Sequence, residues 1–110
     1  MKPSSADGTW SSVEHRFDAD HPTAAGHFPG NPIIPGALLL DHALRAIGAG
    51  APMEVQVAKF MRPVRPGDKV AIRWREQGGG IVTFECWIRD REEKALSGTL
   101  RTAIVPASVP

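Results

Sequence analysis

The sequence has 110 residues, which suits one domain that buries about two thirds of the surface its unfolded chain exposes. Thirteen Lys and Arg residues against twelve Asp and Glu residues give a formal net charge of +1, so the overall positive charge typical of nucleic-acid-binding proteins is missing. No segment reaches the roughly 20 apolar residues of a membrane span and the first residues lack the apolar core of a signal peptide, which together predict a soluble cytoplasmic protein.

The first third of the chain predicts a strand followed by an ordered loop. Residues Thr9–Phe17 mix apolar and polar side chains as a strand does, and residues 18–26 are rich in turn-forming types. The next segment, residues 26–36, reads GHFPGNPIIPG. Its three prolines fix φ and its glycines allow tight bends, so we expect an extended loop with a defined conformation.

A helix is predicted over Ala37–Ile47, which reads ALLLDHALRAI. The segment contains good helix formers and neither proline nor glycine, whereas Gly48 and Gly50 are suitable helix-ending residues. Its apolar side chains cover most of the helix circumference. This pattern predicts a helix that is enclosed by the rest of the protein.

The second half of the chain predicts four strands separated by turns. Each segment is strand-length and rich in β-branched or aromatic residues, and the four are Glu54–Met61, Lys69–Glu76, Gly80–Arg89 and Ala95–Val105. The only cysteine, Cys86, excludes an internal disulfide, and it lies on the apolar side of the third segment, which predicts a buried, inert thiol. The element order predicts a single α+β domain over residues 1–110, with an ordered core at about 9–105, in which a meander-like antiparallel sheet curls around one helix.

Three residues near the helix start could perform chemistry together. Gly36 lies where the first N–H groups of the helix have no internal partner and can polarise a carbonyl oxygen. His27 can act as a neutral base near pH 7, and Asp41 is a carboxylate on a mostly apolar helix, where burial would favour its protonated form. Each residue also has an ordinary explanation: a solvated histidine, a helix-entry glycine, and an ion pair between Asp41 and Arg45 four residues later.

Residues 26–41, GHFPGNPIIPGALLLD, resemble the active-site segment of the β-hydroxyacyl-[acyl carrier protein] dehydratases, which are hot-dog-fold enzymes of fatty acid synthesis. The family pattern has a histidine opening an HFPG-type motif, a Pro-Gly pair, and an acidic residue fourteen positions after the histidine. His27, Pro35-Gly36 and Asp41 match all three features. The resemblance extends more weakly through residues 58–70. The chain looks most similar to the compact dehydratase-like proteins of aryl polyene and related lipid pathways.

This resemblance implies a homodimer with a curved five-stranded sheet around a central helix, which dehydrates a 3-hydroxyacyl thioester to the trans-2-enoyl product without a metal or other cofactor. His27 would remove the α-proton, Asp41 of the other protomer would help protonate the leaving hydroxyl, and the Gly36 N–H would bind the thioester carbonyl. The implied substrate-binding residues are Phe28, Ile33, Pro35 and Ala37. An acyl carrier protein with a phosphopantetheine-linked chain is the implied partner, for which a basic patch is available at Arg62, Arg65 and Lys69.

Two other functions remain open from the sequence. A thioesterase of the same fold would need a carboxylate that activates water, and the HFPG histidine disfavours it. A non-catalytic acyl-binding partner subunit is disfavoured because both His27 and Asp41 are present. A zinc site built on His21 and His27 is disfavoured because only His15 and His42 could complete it, and nothing in their spacing suggests that they do.

Overall fold

The computed structural model describes residues 10–19, 33–48 and 52–102. Within these ranges one helix and five strands follow one another in the predicted order, and their bounds differ from the predicted ones by two residues or fewer wherever the structure describes them. The elements are β1 (Ser11–Arg16), α1 (Gly36–Gly48), β2 (Met53–Phe60), β3 (Lys69–Glu76), β4 (Ile81–Ile88) and β5 (Glu93–Thr102).

The five strands form one antiparallel sheet in the order β1-β3-β4-β5-β2. The predicted meander is correct for β3, β4 and β5, which are joined by short turns. It is wrong for β2, which pairs with β5 at the far edge rather than with β3. Both edges of β3 are occupied, by β1 and by β4, so β2 cannot pair with it. The chain therefore crosses from β2, at one edge of the sheet, to β3, which is an inner strand.

One face of the sheet carries the core. In β4 every second side chain is at most 2% exposed, and these residues are Val82, Phe84, Cys86 and Ile88. This alternation places them on the face to which α1 contributes Leu39, Ala43 and Ile47. The sheet therefore buries one face against the helix, and the β4 side chains on its other face are partly exposed.

The helix packs against the sheet through a single stripe and is not enclosed within the described chain. Its buried residues Leu39, Ala43 and Ile47 are spaced four apart, so they share one face. Ala37, Asp41 and Arg45 are exposed, and each lies two residues, or about 200°, from a buried position. Within the described ranges the strands therefore leave one side of α1 uncovered, although most of its residues are buried or partly buried. No helix in the described ranges has the length and apolar character needed to cross a membrane.

The connection from β2 to β3 is fixed beside the start of α1. Ile34, just before the helix, donates its N–H to the carbonyl oxygen of Val64 at 2.7 Å. Further along, the Asp68 carboxylate accepts a hydrogen bond from the Arg65 N–H and two from the Arg91 guanidinium, at 2.8, 3.2 and 3.1 Å. These bonds hold the connection in place, so the residues that end β2 remain close to the first turn of the helix.

Candidate functional site

The first turn of α1 contains backbone N–H groups that the helix itself does not pair. The N–H groups of Leu38 and Leu39 both bond to the carbonyl oxygen of Pro35, at 3.0 and 3.1 Å. The N–H groups of Gly36 and Ala37 have no acceptor among the described residues. Together with the positive end of the helix dipole, these donors favour an oxygen that carries or gains negative charge.

A cavity of about 300 Å³ opens beside this first turn. It is lined mostly by apolar residues from the helix start and from the chain that ends β2, namely Ile33, Ile34, Gly36, Leu39, Phe60, Met61, Arg62, Pro63 and Val64. A volume of this size is at the lower end of the range for small-molecule sites. The composition suits an acyl chain, with Arg62 as its one charged member.

The Phe60 ring explains why glycine occupies position 36. A Cβ atom on Gly36 would lie 2.9 Å from Cε1, 3.1 Å from Cδ1 and 3.3 Å from Cζ of Phe60. The ring therefore packs directly on the Gly36 backbone while remaining 51% exposed. Sequence reasoning did not single out Phe60 or Met61, because a strand pattern alone does not show that the end of β2 meets the helix start.

Asp41 lies on the exposed side of α1, where its Oδ2 atom accepts a hydrogen bond from Nε of Arg45 at 2.8 Å. The Asp41 side chain is 50% exposed and that of Arg45 is 73% exposed. The expected burial of Asp41 is thus not found in the single chain, since no element of the sheet covers this side of the helix. The alternative that the sequence left open, an ion pair across one helical turn, is confirmed.

Only some of the other predicted site residues line the cavity. Ile33 and Gly36 line the cavity, Pro35 caps the helix start through its carbonyl oxygen, and Ala37 is exposed outside the cavity lining. His27 and Phe28 lie outside the described residues.

The three basic residues of the predicted carrier-protein patch do not lie together at the cavity. Arg62 lines it, and Arg65 is exposed in the following turn. Lys69 instead forms an ion pair with Glu14, its Nζ atom 3.4 Å from Oε1. Because Lys69 precedes the core residue Val70 in β3, its side chain lies on the side of the sheet that faces away from the core. These three residues are close in sequence, but only Arg62 lines the cavity.

Two histidines meet between β1 and α1. The rings of His15 and His42 have centroids 4.4 Å apart, and both contact Phe17, at 4.7 and 5.0 Å. Within residues 10–19, 33–48 and 52–102, no group of three or more histidine, cysteine or acidic side chains is arranged to hold a metal ion. This pair contributes to the packing of β1 against the helix.

Comparison with known sequences connects this chain to a family of dehydratases. Residues 4–99 match the family model described as ApeI-like, ApeI dehydratase. A 3-hydroxyacyl-[acyl-carrier-protein] dehydratase from Anaeromyxobacter sp. is 31% identical over 119 aligned positions, which cover 77% of this chain and 73% of that one. The corresponding enzyme from Rhizobium johnstonii is 37% identical over 81 positions, and there the match covers 61% of this chain but only 52% of the relative.

Solved structures agree on the fold. The dehydratase heterocomplex ApeI:P from Xenorhabdus doucetiae superposes with a TM-score of 0.69 at 20% identity, over 93% of this chain and 98% of that one. A Thermus thermophilus protein described as a thioesterase superfamily member gives a TM-score of 0.66 at 17% identity, over 96% and 87%. At such identities the likeness establishes architecture only. The predicted hot-dog fold, five antiparallel strands with one helix against them, is confirmed.

Proposed function

Because the chain belongs to the ApeI-like dehydratase family, we propose that it removes water from a 3-hydroxyacyl thioester to give the trans-2-enoyl thioester. The observation that carries the proposal is the apolar cavity beside the N–H groups of Gly36 and Ala37, which have no acceptor in the part of the chain that the structure describes. Such a site can receive an acyl chain and polarise the carbonyl at its end. Polarisation weakens the adjacent C2–H bond, which is the bond that dehydration must break.

The proposed reaction uses one base and one acid. His27 takes the proton from C2, the electron pair of that bond forms the C2–C3 double bond, and the C3 hydroxyl leaves as water after receiving a proton from Asp41, directly or through a water molecule. The N–H of Gly36 donates to the thioester carbonyl as negative charge develops there. His27 and Asp41 are assigned by the family pattern, and Gly36 by the pattern together with its position at the helix start.

An acyl carrier protein is the proposed source of the substrate. The relatives from Rhizobium johnstonii and Anaeromyxobacter sp. are named as enzymes that act on such carriers. Arg62 lines the cavity and Arg65 follows it in the chain, so both guanidinium groups are available to the phosphate of a phosphopantetheine arm. Ile33 and Phe60 would contact the acyl chain.

A second copy of the chain is the proposed cover for the exposed part of the site. Asp41 lies on an uncovered helix face, and β2 is an edge strand with large exposed apolar side chains near it, Val57 at 56%, Phe60 at 51% and Met61 at 40%. Unpaired apolar edges of this kind favour association. A homodimer would enclose Asp41 and bring it near His27 of the partner.

The test is to incubate the purified protein with a 3-hydroxyacyl carrier protein and to follow the acyl group by mass spectrometry. Loss of the mass of one water is expected, and His27→Ala should slow it by about 10²- to 10⁴-fold, the usual contribution of a general base. Release of the free acid would indicate a thioesterase instead. An unchanged substrate at high enzyme concentration would indicate a binding subunit and overturn the proposal.

A further inference from the structure

We propose that Arg45 is a positioning residue, which holds the Asp41 carboxylate in the orientation needed at the reacting hydroxyl. This inference rests on the proposed function, because it assigns a task to a neighbour of the proposed acid. Arg45 would act through Asp41 and would not contact the substrate's reacting atoms.

The geometry of the ion pair supports this assignment. A single donor, Nε of Arg45, bonds to Oδ2 of Asp41 at 2.8 Å. The other carboxylate oxygen, Oδ1, has no partner among the described residues. One oxygen is thus fixed to the helix while the second is free to contact a substrate hydroxyl or a water molecule. Fixing the acid in this way removes rotational freedom that would otherwise have to be lost in the transition state.

The surroundings of the pair give a second reason. Asp41 and Arg45 share a helix face with Ala37, and partly buried leucines border that face, Leu38 and Leu44 among them. A second protomer that covers this face removes water from Asp41. Once Asp41 has given its proton to the leaving hydroxyl, the covered carboxylate that remains is costly unless a cation accompanies it, and Arg45 is the cation already in contact.

Folding stability alone does not account for the contact. Both side chains are at least half exposed in the single chain, and exposed pairs one helical turn apart contribute little to stability. Loss of Arg45 should therefore affect turnover much more than unfolding.

The experiment compares Arg45→Ala, Arg45→Gln and Arg45→Lys with the wild type on a 3-hydroxyacyl carrier protein. For Arg45→Ala we expect kcat to fall by about 10- to 100-fold, the effect of a misplaced catalytic group, with KM changed less than about twofold. Arg45→Lys, which keeps a cation within reach of Asp41, should recover most of kcat, whereas Arg45→Gln should not. Added guanidinium ion should raise the rate of Arg45→Ala and leave that of Arg45→Gln unchanged.

Arg101→Ala is the matched control, since Arg101 is exposed near the end of β5 and has no ion-pair partner among the described residues. Its kcat should equal that of the wild type. An Arg45→Ala enzyme with wild-type kcat would overturn the assignment. The assignment would also be overturned if Arg45→Ala lost kcat together with a lower melting temperature or dissociation, and Arg45→Lys did not restore turnover. Wild-type protein without dehydration would refute the proposed function itself, so the two failures are distinguishable.

Discussion

Gly36 shows how one missing side chain serves both packing and chemistry. The Phe60 ring packs on its backbone, and its N–H is one of the donors proposed for the thioester carbonyl. For Gly36→Ala we expect a folded protein, because Phe60 is half exposed and its ring can rotate away. The displaced ring would narrow the cavity, so kcat/KM for the 3-hydroxyacyl carrier protein should fall by about 10-fold or more, a loss of roughly 1.4 kcal/mol of transition-state binding.

The double variant Gly36→Ala with Phe60→Leu is the control for that result. A smaller side chain at position 60 removes the clash with the new Cβ, so kcat/KM should rise above that of Gly36→Ala alone. Steady-state kinetics and circular dichroism measure the two effects separately. A Gly36→Ala enzyme with unchanged kcat/KM would show that the cavity beside the helix start is not the acyl site.

Cys86 provides a prediction about alkaline pH. Its side chain is fully buried in β4, and burial raises the pKa of the thiol from about 9 to about 12. The folded state thus keeps a proton that the unfolded state loses, so stability should fall between pH 9 and pH 12, by up to about 1.4 kcal/mol per pH unit. Urea unfolding of wild type and Cys86→Ala across this range should show a steeper decline for the wild type. Equal slopes would contradict the buried, neutral thiol.

At the scale of elements, local sequence patterns predicted whether each segment forms a helix or a strand, but they did not predict every strand pairing. The alternation of Val82, Phe84 and Cys86 predicts both a strand and its buried face, since period two needs no other part of the chain. The partner of β2 was mispredicted because pairing order depends on which edges are free, and β1 and β4 take both edges of β3. The side of the sheet on which Lys69 lies is likewise set by strand register and not by its distance from Arg62 in sequence.

The pairing of β2 with β5 depends on Gly98. The register of β2 shifts between Val55 and Val57, and the Val57 carbonyl oxygen lies against the position that a Cβ on Gly98 would occupy. The same Cβ would lie 2.8 Å from Cζ of the buried Phe84 ring. For Gly98→Ala we therefore expect a loss of about 1–3 kcal/mol in the free energy of unfolding, as in overpacked cores.

Denaturant unfolding of Gly98→Ala measures this loss. The control variant is Ser97→Ala, a substitution at the adjacent residue. Ser97 is half-buried on the other side of β5, where losing a hydroxyl brings no new atom into the core, so its unfolding free energy should change by less than about 0.5 kcal/mol. An equal effect of the two substitutions would show that the close approach of β2 to β5 is not maintained in solution.

At the scale of the whole molecule, the described chain leaves one side of the predicted site open. The helix start, the cavity and the Asp41–Arg45 pair are all present, yet Asp41 lies on a face that nothing in the described chain covers. The apolar character of α1 predicts burial over most of its circumference, whereas Asp41 is exposed among the residues that the structure describes. A sequence pattern does not show whether a helix face is covered by its own chain or by another. The exposure of Asp41 therefore could not be predicted from the sequence.

A shared active site between two protomers can be tested by complementation. His27→Ala and Asp41→Asn should each be inactive as pure proteins, because every site lacks one of the two groups. In a mixed dimer one site combines both altered residues, and the other combines the intact His27 of one chain with the intact Asp41 of its partner. Random assembly of equal amounts should then restore about one quarter of wild-type turnover, since half of the dimers are mixed and half of their sites are intact. If both residues of a site came from the same chain, every site in the mixture would still lack one group, and co-refolding the two variants would restore no activity.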